Sequence, residues 1–194
     1  MKEKNFRTID LVYMAVCAAL MAVCSWISIP TTVPFTLQTF AIFLAVALLG
    51  GKNGTLSVLV YILLGAVGAP VFAGFSGGFS TLAGPTGGYI IGFIFSALVM
   101  WLVEKLAGRK LVATGIGMAL GLLVCYAFGT AWFMVVYAHN GNAITLGTAL
   151  GWCVIPFIIP DVCKIALALF LSKVLRKAIF RETASVKKAD NGQQ

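Results

Sequence analysis

The sequence predicts an all-α membrane protein, a single-domain bundle of six transmembrane helices with both termini on the cytoplasmic side. Three observations carry that prediction. The 194 residues are 60% hydrophobic and only 10% charged, with a mean hydropathy of +1.00, whereas a soluble domain has about half apolar and about a quarter charged residues. The apolar residues form long runs separated by Pro- and Gly-rich breaks. The basic residues gather on alternate sides of those runs, as the positive-inside rule requires. A water-soluble enzyme, a disordered tail and a disulfide scaffold are all excluded, because a soluble fold of this size cannot hide so much apolar surface. The formal net charge of +8 would suggest nucleic acid in a soluble protein. Here the charges flank apolar runs, so orientation in the bilayer accounts for them and no nucleic-acid partner is expected.

Span one covers about residues 9–29, after Lys2, Lys4 and Arg7, and Pro30 to Pro34 end it. It is too long for the apolar core of a signal peptide and other spans follow it. Ala15 and Ala19, and likewise Ala18 and Ala22, repeat at helical spacing and give it a small-residue face. Span two, 35–49, reaches only about 22 Å at about 1.5 Å per residue, short of the hydrocarbon core of about 30 Å. The preceding loop is therefore expected to dip into the protein. Residues 50–54 read as a turn, and 55–72 as span three, weakened late by Gly65, Gly68 and Pro70. A Gly-rich loop covers 73–88. Span four is 89–106, followed by the basic turn at Gly108, Arg109 and Lys110, and span five is 111–137. Span six, 144–175, contains Pro156 and Pro160, which predict a bend or a fresh helix near Asp161. A polar tail, 176–194, follows.

Thirteen of the 14 Lys and Arg residues lie at the N-terminus, around Lys52, from Lys105 to Lys110, or from Lys173 onward, while loops 30–34, 73–88 and 138–143 hold none. The pattern puts both termini inside and demands an even number of spans. It leaves Lys164 and one acid, Asp161, at membrane depth, three residues apart on one helix face. An ionisable residue inside a membrane is by default a functional candidate. A structural ion pair and a proton relay are the competing readings, but no second intramembrane carboxylate supports a relay. A polar anchor for a solute arriving from outside is preferred. The surrounding loops suit it: Phe35, Phe72 and Tyr89 offer flat apolar walls, Thr36 and Gln38 offer polar groups, and Gly77 stands for glycines that let backbone approach a ligand.

Other chemistry is not supported. Cys17, Cys24, Cys125, Cys153 and Cys163 lie in apolar runs without metal-ligand spacing, so no metal or cofactor is expected. Gly74 to Gly77 has the GxSG form of an intramembrane serine protease, but His139, the only histidine, falls in a loop. Gly51-Lys52 lacks the phosphate-loop spacing. No enzyme is expected.

Four segments carry a resemblance to a known family: VPFTLQTF (33–40), LLGAVGAPVFAGF (63–75), GPTGGYIIGF (84–93) and PFIIPDVCK (156–164). They resemble, in order and spacing, the BioY proteins, biotin-specific substrate-binding (S) components of energy-coupling factor (ECF) transporters. The resemblance covers most of residues 9–175. It implies an S-component-like six-helix bundle, high-affinity biotin capture from outside, and residence in a prokaryotic plasma membrane. It also implies three partner subunits, one transmembrane coupling (T) protein and two cytoplasmic ATPases of the ABC type. Asp161 and Lys164 match the family's biotin-contacting pair, and Ala15 and Ala19 match the span-one positions that contact the coupling protein. An S component for another vitamin and a solitary proton-coupled carrier are the alternatives.

Overall fold

A computed structural model describes residues 8–191, with side-chain surroundings up to residue 177. The charges expected at Lys2, Glu3, Lys4, Arg7, Arg181, Glu182, Lys187, Lys188 and Asp190 lie outside the described residues or side chains. The chain is mostly helical. Its helices are α1 (Thr8–Trp26), α2 (Gln38–Leu49), α3 (Gly51–Ala66), α4 (Phe79–Ala83), α5 (Gly87–Ala107), α6 (Leu111–His139), α7 (Leu146–Cys153) and α8 (Ile155–Asn191). Among the described residues, four helical stretches have the length and apolarity to cross a bilayer: α1, α5, α6, and Leu146–Lys177 taken across the α7–α8 break. Helices α2, with 12 residues, and α3, with 16, are shorter.

Helix α2 is the centre of the bundle. It packs against α1, α3, α5 and α8, and every residue from Ala41 to Ala47 is buried, the pattern of a helix enclosed on all sides. It starts at Gln38, later than residue 35, because residues Phe35–Thr36 pair with Ser28–Ile29 as a small antiparallel hairpin. This hairpin carries Val33, 7% exposed, into the interior.

The break between α2 and α3 is a single residue, Gly50, with φ 85°, where the sequence suggested a five-residue turn. Gly51 and Gly54 are helical, and both serve close packing. A Cβ on Gly51 would stand 2.3 Å from the Trp101 ring, and one on Gly54 would stand 2.4 Å from the Val46 backbone. Helices α5 and α6 approach in the same way. A Cβ on Gly88 would meet Trp132 at 2.2 Å and one on Gly129 would meet Tyr89 at 2.2 Å, so small residues here set the helix spacing.

The Gly-rich segment after α3 is folded rather than open. A short 3₁₀ turn (Ala73–Phe75) and α4 lie within it, and α5 begins at Gly87. Span six divides earlier than the prolines suggested. The break is at Val154 (φ −125°, ψ −56°), Pro156 sits in the first turn of α8, where a missing N–H costs nothing, and Pro160 lies inside that helix. Helix α8 continues through the polar tail to Asn191.

Candidate binding site

The first residues of α2, the first turns of α5, the middle of α6 and the first turns of α8 converge on a cavity of about 110 Å³. Segment 72–86 closes over it. Asp161, Lys164, Gln38, Thr36, Phe72 and Tyr89 all line this cavity. Asp161 is 2% and Lys164 6% exposed, and they pair at 2.7 Å. A charge so buried is stable only when paired and hydrogen-bonded. Asp161 meets that condition completely. Its Oδ1 accepts from Lys164 Nζ at 2.7 Å and from Thr39 Oγ1 at 3.2 Å, and its Oδ2 accepts from the Tyr126 hydroxyl at 2.5 Å.

Lys164 is less committed. An ammonium has three donors; one goes to Asp161, and Nζ also stands 4.2 Å from the centre of the Phe35 ring, a cation–π contact. Phe35 in turn stacks on Phe157 at 5.9 Å. Phe35 thus steadies the lysine from beside the cavity and is absent from the cavity wall itself.

Three of the expected wall residues do structural work as well. Gln38 Nε2 donates to the Tyr61 hydroxyl at 2.7 Å, which donates to the Val71 carbonyl at 2.9 Å. That chain ties the start of α2 to the closing segment. Phe72 packs edge-on against Tyr61, with centroids 5.6 Å apart. The Tyr89 hydroxyl bonds Thr130 at 2.9 Å.

Gly77 does not line the cavity. A Cβ there would lie 2.2 Å from the Ala69 carbonyl oxygen, so this glycine permits chain-on-chain packing rather than ligand approach. Tyr126, Thr39 and Phe157 also line the cavity and were not singled out from the sequence. Tyr126 had a readable signal, a hydroxyl in the middle of an apolar span, and Phe157 lies one helical turn before Asp161 on the same face.

Ala15 and Ala19 do not line this cavity. Both face outward on α1, whereas Ala18 and Ala22 are buried against the bundle. The two small-residue repeats therefore point in different directions.

A helical membrane bundle enclosing a small cavity, walled by aromatic rings and anchored by a buried ion pair, defines an integral membrane protein built to hold a small polar solute. The chain belongs to the BioY family, whose sequence profile matches residues 1–181. It is 42% identical over 172 residues to the biotin transporter BioY of Thermotoga maritima, covering 87% of this chain and 96% of that protein. It is also 42% identical over 164 residues to a probable biotin transporter BioY of Pyrococcus horikoshii, covering 84% and 93%. A crystal structure of the S component for biotin from an ECF-type ABC transporter superposes with a TM-score of 0.78 at 29% identity, over 91% of this chain and 95% of that one.

Proposed function

We propose that this chain is the biotin-binding S component of an ECF-type transporter, and that Asp161 and Lys164 form the polar floor of its biotin site. The family membership and the biotin-specific relatives support the activity. The observation that carries the site is the fully buried ion pair on the wall of the cavity. Biotin suits that site chemically. Its ureido ring offers two N–H donors and one carbonyl acceptor, and its thioether ring and valeryl chain are apolar. The ring walls are Phe72, Tyr89 and Phe93. The chain itself is a binding subunit and not an enzyme, so ATP hydrolysis belongs to partners.

The six-span reading takes α1, α2, α3, α5, α6 and the α7–α8 pair as the crossings. Both termini then lie in the cytoplasm on the positive-inside pattern, in a prokaryotic cell membrane, with the cavity facing outward. The outward Ala15/Ala19 face of α1 is the docking face for the transmembrane coupling protein, which bridges to two cytoplasmic ABC ATPases. The test of function is isothermal titration of the detergent-solubilised protein with biotin. Saturable binding is expected, and Asp161→Asn is expected to weaken it at least about tenfold, or about 1.4 kcal/mol. An unchanged affinity in that variant overturns the site, and no biotin binding by the unmodified protein overturns the function.

A further inference from the structure

The cavity wall fixes the charge a ligand meets. Among the residues that line it, Asp161 and Lys164 alone are formally charged, and each is the other's partner at 2.7 Å. The pocket is therefore neutral before any ligand arrives. None of the other described lysines and arginines lines the wall: Arg109 and Arg176, for example, hold the far end of α2. The loop-side hydroxyls, Ser76, Thr81 and Thr86, add no charge, since a neutral donor serves an amide oxygen as it serves a carboxylate, and two of them are already engaged. Ser76 Oγ donates to the Ala73 carbonyl at 2.8 Å, and Thr81 Oγ1 donates to the Gly77 carbonyl at 3.1 Å.

We propose that the site reads the ureido head of biotin at the Asp161–Lys164 pair and leaves the ligand's carboxylate uncompensated, so that neutral, carboxyl-blocked biotin derivatives are also ligands. This rests on the biotin reading above. The bond inventory favours the head. A carboxylate has about four lone-pair sites, and Asp161 uses three of them, on Lys164, Thr39 and Tyr126. One remains for a ureido N–H. Lys164 keeps spare donors for the neutral ureido oxygen, and that bond leaves the ion pair intact. A ligand carboxylate at the same ammonium would instead set two anions on one buried cation, an arrangement disfavoured by like-charge repulsion and by lost solvation. The carboxylate end therefore points away from the pair, toward the closing segment, and makes no ion pair there.

Titration of the full-length solubilised chain with three ligands tests this. The ligands are biotin, biotinamide (carboxamide in place of carboxylate, nearly the same shape), and biotin methylated on a ureido nitrogen. Biotinamide is expected to bind within about threefold of biotin, and the ureido-methylated compound to lose at least about thirtyfold. Biotin binding with biotinamide about thirtyfold or more weaker overturns the neutral-tail inference and leaves the biotin site standing. Full binding of the ureido-methylated ligand overturns the head-first orientation. Absence of biotin binding overturns this inference together with the reading beneath it.

Discussion

The two ends of α2 meet charged groups of opposite purpose. At its N-terminal end, Thr39 bonds Asp161, which pairs with Lys164 and Tyr126; every partner there is a side chain. At its C-terminal end, Arg176 Nε donates to the Ala47 carbonyl at 2.8 Å and Arg109 Nη2 to the Leu48 carbonyl at 3.1 Å. Glu104 accepts from the Gly51 amide at 2.7 Å, at the first residue of α3. Arg109 and Glu104 also pair with each other at 3.5 Å, but the hydrogen-bond partners here are main-chain groups that helix ends leave unsatisfied, and the signs match the helix dipoles: cations on the last carbonyls of α2, an anion on the first amide of α3. The arginine end is complete by itself, because backbone is always present. The cavity end is complete as an ion pair yet keeps donors on Lys164 in reserve. Charges that bond backbone at a helix end define architecture, whereas buried charges that bond only each other and exchangeable hydroxyls define a site.

The sharpest way to break that contrast is to remove one member of the cavity pair. Lys164→Ala strands the Asp161 carboxylate, which is 2% exposed, and breaking a buried pair from one side costs about 3–5 kcal/mol. A fall of that size in the unfolding free energy of the solubilised protein is expected, with biotin binding abolished. The double variant Asp161→Asn, Lys164→Met removes both charges. It is expected to recover most of the stability and none of the binding, since a buried pair exchanged for neutral groups is often nearly neutral energetically. Stability that stays low in the double variant would show that the pair is a scaffold element like the arginine end.

Tyr126→Phe is the next largest effect. It deletes the donor to Asp161 Oδ2, and hydrogen bonds to charged groups are worth about 1.5–3 kcal/mol. Biotin affinity in titration is expected to drop about tenfold while the fold survives. Arg176→Gln then probes the opposite end. It loses the bonds to the Ala47 and Arg109 carbonyls, and a stability loss of about 1–2 kcal/mol is expected, with biotin affinity unchanged within about twofold. A large affinity loss in Arg176→Gln would mean that α2 transmits the state of one end to the other.

The sequence made the polar pair legible because a charge in an apolar span is rare and has few explanations. It made the aromatic and hydroxyl walls legible in part: Thr36, Gln38, Phe72 and Tyr89 do line the cavity, although Gln38 gives its amide to Tyr61. The glycines were the least legible. A glycine that admits a ligand and one that admits another stretch of chain look alike in sequence. Only the fold shows that a Cβ on Gly77 would strike the Ala69 carbonyl, or that one on Gly87 would stand 1.7 Å from the Leu82 carbonyl oxygen. The start of α2 was misplaced for a similar reason, since Phe35 and Thr36 are good strand formers and good span residues alike, and hairpin partners six and eight residues away decide between them. Tyr126 and Thr39 reach Asp161 from α6 and α2, and no periodicity within one helix announces a contact between helices.

Thr39→Val gives the smallest effect and the finest test of how the cavity end is ordered. Thr39 Oγ1 reaches Asp161 Oδ1 at 3.2 Å, longer than the 2.7 Å bond that Lys164 makes to the same oxygen. Valine keeps the shape, and Oδ1 stays bonded after the change, so no buried acceptor is orphaned and the full desolvation penalty does not arise. The expected loss of biotin affinity is two- to threefold, about 0.5 kcal/mol, with thermal unfolding unchanged. If the loss instead equals that of Tyr126→Phe, then Thr39 is bonding the ligand directly. The acceptor capacity of Asp161 would then be less filled by the protein than the geometry indicates, with room for both ureido N–H groups at one carboxylate.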